Sequence, residues 1–133
     1  MKGRITSDNI KNLEDRQIFV FGSNEKGKHT KGAAKKAMTW GAIYGQSDGL
    51  QGRTYGIPTK GKSMQKVLSI KEIGVYVDDF IVFAKKNPEL TFLLTEVGCG
   101  LSGYKPKDIA PLFKEAVSVK NIHLPARFWH KLI

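Results

Sequence analysis

Two short glycine-rich loops carry the residue types best suited to chemistry in this sequence. The first, residues 22–31, follows an apolar run at 17–21, and the second, residues 98–104, follows another at 91–95. Glycine permits backbone conformations in which consecutive N–H groups point inward around an anion. A helix is predicted after each loop, and a helix N-terminus adds partial positive charge. Two such loops side by side predict a site for a diphosphate.

The second loop contains the pattern G-x-G-x-x-G at Gly98, Gly100 and Gly103. This pattern is typical of dinucleotide-binding folds when it lies between a strand and a helix. Only about 30 residues follow Gly103, too few for the remaining strands of such a fold, and no acidic residue follows the last predicted strand to hold a ribose. We therefore exclude redox chemistry with a nicotinamide cofactor and retain the phosphate-binding property of the loop.

Three side chains near the loops are candidates for catalysis. Asn24 ends the first apolar run, where its amide can bond a ribose hydroxyl, orient a water or brace a turn. His29 can act as a general base or contact a phosphate, since its pKa is ordinarily near neutrality; the alternative is a solvated loop histidine. Cys99 lies between two glycines, where lysines and N–H donors would make a thiolate nucleophilic, but a small residue that fits a tight loop is the commoner case.

Four further side chains are candidates for ligand contact. Gln46 and Gln51, in the glycine-rich segment 41–56, can read a base or a ribose, or lie at the surface. Tyr104 can stack on a sugar or base, or pack on the following helix. Lys60 follows another predicted strand and can face the same cleft or remain solvated.

The charge of the chain points to an anionic partner. The net charge is +10, and residues 1–66 hold 13 basic and 5 acidic side chains, so most of the excess lies in the first half. A basic half suggests a nucleotide, a nucleic acid or a membrane surface, although lysines also serve solubility alone.

The hydrophobic pattern predicts an α/β domain. Apolar residues at spacings of three and four after Ser69 indicate an amphipathic helix, for which Ser69 and Glu72 form a capping box and Asn87-Pro88 ends the helix. Strands alternating with helices favour a largely parallel sheet that binds ligands at the carboxyl ends of its strands. The predicted strands are 17–21, 53–57 (stopped by Pro58), 91–95 and 121–124; the other predicted helices are 32–38, 106–117 and one that begins at Pro125.

Several classes of protein are excluded or disfavoured by composition. A single cysteine rules out an internal disulfide framework and a multi-cysteine zinc site, and no metal or cofactor is predicted. No apolar run reaches the length of a membrane span, so no membrane partner is expected and a cytoplasmic location is the expectation. Asp78 and Asp79, an adjacent acidic pair, fall on the polar side of the amphipathic helix and are interpreted as a solvated face.

The ordered motifs resemble a known family. The segments 19–24, His29, 32–34, 44–60 and 98–104 together look like a family of small macro-domain-like proteins found in phages and bacteria, over residues 16–118. The resemblance implies one macro-like three-layer domain spanning residues 1–133, with a mixed, mostly parallel sheet and helices on both faces. If the chain is encoded by a phage, it implies a host cytoplasmic location.

The family also implies a ligand. The expected ligand is ADP-ribose or a derivative, with the two loops clamping its diphosphate and Asn24 near the distal ribose. If the protein is an enzyme, the implied reaction is hydrolysis at the distal ribose or its phosphate, with water positioned by Asn24 or His29. The residues expected to contact the ligand are Gly22, Ser23, Gly32, Ala33, Gln46, Gln51, Gly98, Cys99, Gly100, Leu101, Ser102, Gly103 and Tyr104.

Two other functions remain open at this stage. One is a nucleic-acid-binding module that uses the basic half, although the lysines of residues 26–36 lack the interleaved aromatic residues suited to base stacking. The other is a non-catalytic protein that sequesters a nucleotide or binds another partner.

Overall fold

A six-stranded mixed sheet forms the centre of the computed structural model, which describes residues 3–133. The strand order is β1-β6-β5-β2-β4-β3, and every neighbouring pair is parallel except β3 with β4. The α/β prediction with a mostly parallel sheet is therefore confirmed. The strands are β1 (Ile5–Thr6), β2 (Gln17–Asn24), β3 (Gly49–Gln51), β4 (Thr54–Lys60), β5 (Thr91–Leu94) and β6 (Ile122–Pro125).

Helices cover both faces of the sheet, which gives three layers. The helices are α1 (Gly32–Ala37), α2 (Ile70–Lys86), α3 (Pro106–Ile109) and α4 (Ala126–Leu132), with 3₁₀ turns at Met38–Trp40 and Ala110–Ser118. Successive strand residues point to opposite faces. In β2, Phe19 and Phe21 pack with α1, while Ile18 and Val20 join a larger core formed with α2, α3 and α4.

Helix α2 forms as its sequence predicts. Its buried residues recur at helical spacing, from Ile73 to Ala84. Ser69 accepts a hydrogen bond from the N–H of Glu72, and the Glu72 carboxylate accepts from the N–H of Ser69, which completes the capping box. Asp78 and Asp79 are exposed, as the predicted solvated face requires.

Strand β4 differs from its prediction because it continues through Pro58 to Lys60. Proline lacks the N–H that a ladder needs and is tolerated in sheets at bulges and edges. Here the register with β2 shifts at this point, so that Ser23 pairs with Pro58 and Asn24 pairs with Lys60. The longer strand carries Thr59 and Lys60 to the same edge of the sheet as Asn24.

The helix predicted at 106–117 is split in two. Pro111 cannot donate to the carbonyl oxygen four residues before it, and Phe113 has non-helical dihedral angles (φ −101°, ψ 15°). The chain therefore changes from α3 to a 3₁₀ segment. Pro125 is the N-cap of α4 rather than its first residue. The short strands β1 and β3 were not predicted, because two or three residues give no periodicity.

The order of the strands positions a ligand site. From β2 the chain crosses to β4 on one side, and it later returns through α2 to β5 on the other side. Ligands of open α/β sheets bind where the strand order reverses in this way, outside the carboxyl ends of the strands. Here that point lies between β2 and β5, the strands that precede the two glycine-rich loops. Among residues 3–133, no helix is long and apolar enough to cross a membrane.

Candidate functional site

A cleft of about 530 Å³ opens at this point of the sheet. Both glycine-rich loops contribute to it, together with the end of β4 and the turn that follows β4. Its lining consists of Gly22, Ser23, Asn24, Lys28, Thr30, Lys31, Gly32, Ala33, Ala34, Thr59, Lys60, Met64, Thr95, Glu96, Val97, Gly98, Gly100, Leu101 and Ser102. The structure thus brings together ten of the sequence-predicted site residues: Gly22, Ser23, Asn24, Gly32, Ala33, Lys60, Gly98, Gly100, Leu101 and Ser102.

Thr59 links the two loops at the base of the cleft. Its side chain is buried, and its hydroxyl donates to the carbonyl oxygen of Ser23 at 3.4 Å and forms a 2.8 Å hydrogen bond with the hydroxyl of Ser102. The loops also approach closely through glycine, since a Cβ atom on Gly22 would lie 3.5 Å from the amide nitrogen of Gly98. The two loops therefore form one continuous wall rather than two separate turns.

Several backbone N–H groups of this wall are free to bind a ligand. Within residues 3–133, the N–H groups of Gly98, Gly100, Leu101 and Ser102 have no hydrogen-bond partner. Those of Gly103 and Tyr104 close turns within the second loop, and that of Cys99 donates to the carbonyl oxygen of Glu96. On the other side, the N–H groups of residues 32–34 are also without a partner in the described chain, and Lys31 gives α1 no side-chain cap. Lining residues with unpaired N–H groups therefore lie on both sides of the cleft, in the second loop and in the first turn of α1, which follows the first loop.

The charged side chains of the lining are mostly basic. Lys28, Lys31 and Lys60 line the cleft, and Glu96 is the acidic residue among the described lining residues. Both carboxylate oxygens of Glu96 accept hydrogen bonds from the Arg127 guanidinium, at 2.6 and 2.7 Å. These bonds raise the pKa of Arg127 and occupy much of the acceptor capacity of Glu96. The cleft therefore presents an excess of positive charge.

Asn24 lines the cleft and also braces the first loop. Its side chain is buried, its Oδ1 accepts from the N–H of Lys28, and its Nδ2 donates to the carbonyl oxygen of Lys28, both at 2.9 Å. This is the turn-bracing role that the sequence left open. A primary amide has two N–H groups and two lone pairs, so one of each remains for a ligand.

His29 lies outside the lining of the cleft. The residue is 3% exposed, and its ring packs edge-on against Phe21 with 5.2 Å between the ring centroids. Its Nε2 lies 2.9 Å from the carbonyl oxygen of Gln46 and 3.2 Å from Oε1 of Gln51, which assigns the hydrogen to Nε2. His29 thus points away from the cleft while its neighbours Lys28 and Thr30 line it. This placement gives no support to a general base at His29.

Gln46 and Gln51 also lie outside the lining, and they support the first loop from behind. Gln51 is buried, and its side-chain oxygen accepts from the N–H of Ile43 at 2.7 Å. The side chain of Gln46 donates to the carbonyl oxygens of Asp48 and Leu50. The N–H of Gly45 donates to the carbonyl oxygen of Gly27 at 2.8 Å, so segment 41–51 holds the first loop in place.

The remaining predicted residues, Cys99, Gly103 and Tyr104, lie in the second loop but not along the lining. The hydroxyl of Tyr104 donates to the carbonyl oxygen of Leu68 at 2.6 Å, and its ring packs against the core. Burial, together with the nearby carboxylate of Glu96, raises the pKa of the Cys99 thiol to about 11. A thiol that stays protonated at neutral pH is a poor nucleophile.

Sequence reasoning missed several residues that line the cleft, among them Thr59, Met64, Thr95, Glu96 and Val97. Thr95 and Glu96 directly follow β5 and so lie at the carboxyl end of a strand, where ligands bind; that position was a usable signal. Thr59 gave no such signal, because the strand was expected to end at Pro58.

The described residues contain no group of three or more His, Cys, Asp and Glu side chains that could hold a metal ion. No aromatic side chain is among the described residues that line the cleft. In comparisons with known proteins, no family model, no curated protein and no solved structure matches this chain.

Proposed function

We propose that this protein binds an ADP-ribose-type nucleotide, whose diphosphate is held between the two glycine-rich loops. The observation that carries the proposal is that two sequence-distant loops, each following a parallel strand, meet in one cleft with free N–H groups on both sides. A volume of about 530 Å³ suits a small nucleotide, since ligand pockets measure roughly 300–1,000 Å³.

The phosphate-binding part of the proposal depends on backbone donors. The free N–H groups of Gly98, Gly100, Leu101 and Ser102 form one side, and those of residues 32–34 form the other. Phosphate oxygens accept hydrogen bonds from such clusters of N–H groups. Lysines along the same lining favour a dianionic group electrostatically.

The ribose-binding part of the proposal depends on Asn24. Its amide is fixed by two hydrogen bonds to Lys28, yet it keeps one N–H and one acceptor lone pair. A ribose hydroxyl both donates and accepts, so it can use both. Because the amide is already held rigidly, little side-chain entropy is lost on binding.

The side chains of the lining favour binding over hydrolysis. Hydrolysis is assisted by a group that accepts a proton from water. Glu96 is tied to Arg127 through both oxygens, and His29 lies behind the loop. We therefore propose a nucleotide-binding protein, and we expect ADP-ribose to be recovered unchanged by ion-exchange chromatography after prolonged incubation with it.

Titration calorimetry tests the binding proposal. ADP-ribose should give a saturable heat signal, whereas adenosine, which lacks the diphosphate, should give none. Gly100→Val should abolish the signal, because a side chain at this lining position would occupy the space of the phosphate. Ser118→Val, an exposed change outside the cleft, should leave binding unchanged. The absence of heat with ADP-ribose at high concentration would overturn the proposal.

A further inference from the structure

Unpaired lysines surround the mouth of the cleft. Lys28, Lys31 and Lys60 line it, and Lys26 and Lys62 each lie two residues along the chain from lining residues on either side. Lys35 follows Lys31 by one helical turn and therefore lies on the same side of α1. We call these six residues the lysine rim. All except Lys60 are exposed, so their ammonium groups are accessible to a partner.

The charge of the lysine rim is not neutralised by the protein itself. Three salt bridges occur within residues 3–133, and none involves a rim lysine. The carboxylate of Glu25, next to Lys26, instead accepts a hydrogen bond from the Tyr76 hydroxyl at 2.6 Å. Lys66 is left out of the rim because it faces Glu72, whose pKa is lowered chiefly by Ser69 and in addition by Lys66.

The positive charge of the lysine rim exceeds the negative charge of one small nucleotide. A diphosphate carries two negative charges, and the unpaired N–H groups of the lining, together with Lys28, Lys31 and Lys60, already suffice to offset them. The three rim lysines outside the lining, Lys26, Lys35 and Lys62, fit a ligand whose negative charge continues beyond the cleft. Phosphates at regular spacing along a nucleic-acid strand provide such a charge.

The chemistry of the proposed ligand shows how a strand could continue from it. In ADP-ribose the distal ribose is joined to the diphosphate through its 5′ carbon. Consider a strand whose 5′ end carries an adenosine joined through a pyrophosphate. The sugar of its first nucleoside is likewise joined to the pyrophosphate through its 5′ carbon. Such a cap would place its pyrophosphate between the loops and its first sugar at Asn24, while the strand leaves through the 3′ oxygen.

We propose that the cleft binds the adenosine-pyrophosphate-capped 5′ end of a single nucleic-acid strand, with the lysine rim contacting the first phosphodiesters. This inference rests on the proposed nucleotide-binding function of the same cleft. No aromatic side chain is among the described residues that line the cleft, so the strand is bound through its phosphates and its base sequence is not read.

The test compares four probes by fluorescence anisotropy and competition. They are a ten-nucleotide single-stranded RNA with an adenosine-pyrophosphate cap, the same RNA with a 5′ hydroxyl, the same RNA with a 5′ monophosphate, and free ADP-ribose. At 50 mM salt the capped strand should bind at least tenfold more tightly than each of the others, and ADP-ribose should compete with it.

The salt dependence gives a second measurement. Each phosphate neutralised on a single strand contributes a slope of about −0.7 to log K against log salt, so about three contacts predict an affinity loss of about 20-fold between 50 and 200 mM. Lys26→Gln combined with Lys62→Gln should reduce capped-strand affinity about fivefold or more. Lys86→Gln combined with Lys120→Gln removes the same charge at the opposite, amino ends of the parallel strands and should have no effect.

The outcomes separate the two proposals. If ADP-ribose binds but the capped strand binds no more tightly, the inference about the strand is wrong and the nucleotide site stands. If the capped and uncapped strands bind equally, the rim binds nucleic acid independently of the cleft, and the inference is again wrong. If neither ADP-ribose nor the capped strand binds, both proposals fail.

Discussion

Gly98 and Gly100 lie two residues apart in one loop, yet alanine should have opposite effects on the fold at these two positions. Gly98 has a positive φ of 78°, and a Cβ atom there would lie 3.0 Å from Cδ1 of Ile109 in the buried core. Gly100 is not among the residues with positive φ, and a Cβ atom there would meet no atom within 4 Å. Of these two positions, only residue 98 has a backbone conformation that favours glycine.

The size of the difference follows from these two geometries. The left-handed conformation costs a non-glycine residue about 1–2 kcal/mol, before the close contact with Ile109 is counted. With a urea m value of about 2 kcal/mol/M, Gly98→Ala should lower the unfolding midpoint by about 0.5–1 M. Gly100→Ala should leave the midpoint unchanged or raise it slightly, because alanine restricts the unfolded chain.

Urea denaturation followed by circular dichroism measures the stabilities, and calorimetry with ADP-ribose measures binding. Gly100→Ala should weaken binding while the protein stays as stable as the parent, and Gly100→Val should abolish binding in a folded protein. Equal loss of stability in the two alanine variants would refute the geometric reasoning. Full binding by a folded Gly100→Val protein would refute the placement of the phosphate.

Three further predictions concern residues in and around the cleft. Thr59→Val removes a buried hydroxyl that bonds both loops, so it should lower the free energy of unfolding, measured by urea denaturation, by about 1 kcal/mol. It should also weaken ADP-ribose binding. Loss of stability without loss of binding would show that this link does not position the loops. Burial raises the pKa of Cys99 to about 11, so the thiol should react with iodoacetamide at pH 7.5 about tenfold more slowly than an unperturbed thiol, because the lower thiolate fraction outweighs the higher reactivity of a more basic thiolate. The rate should rise up to about pH 11, and rapid alkylation at pH 7.5 would contradict this. A hydrogen bond to the Glu25 carboxylate, together with burial, raises the pKa of Tyr76 to about 12. Because the tyrosine of the unfolded chain ionises at lower pH, the free energy of unfolding should fall as the pH rises from about 10 to 12. Tyr76→Phe should make that fall shallower in denaturation curves measured across this range.

The long elements of the fold could be predicted because their patterns are local. Helix α2 shows its buried residues at helical spacing and its cap at Ser69, and both are visible in the sequence. The buried runs that form β2 and β5 are equally plain. The course of the chain at Pro58 could not be predicted, because it depends on a register shift against β2 rather than on β4 alone.

The cleft was predictable in outline but not in the roles of its polar side chains. The placement of both loops at one edge follows from parallel strands, so residues such as Ser23 and Leu101 could be assigned to one site. The direction of His29 could not, because it depends on acceptors that Gln46 and Gln51 provide only once segment 41–51 has folded. A polar residue next to a glycine-rich loop supports that loop as readily as it contacts a ligand.

Pairing of β5 with β2 joins residues 91–94 to residues 17–20, more than seventy positions apart along the chain. Contacts of such long range are slow to form, because closing the intervening chain costs entropy before the contact is gained. The walls of the cleft come from the loops beyond those two strands, so neither half of the polypeptide contains the site. A ligand bound there would therefore raise the free energy of global unfolding of the whole domain rather than the stability of one half alone.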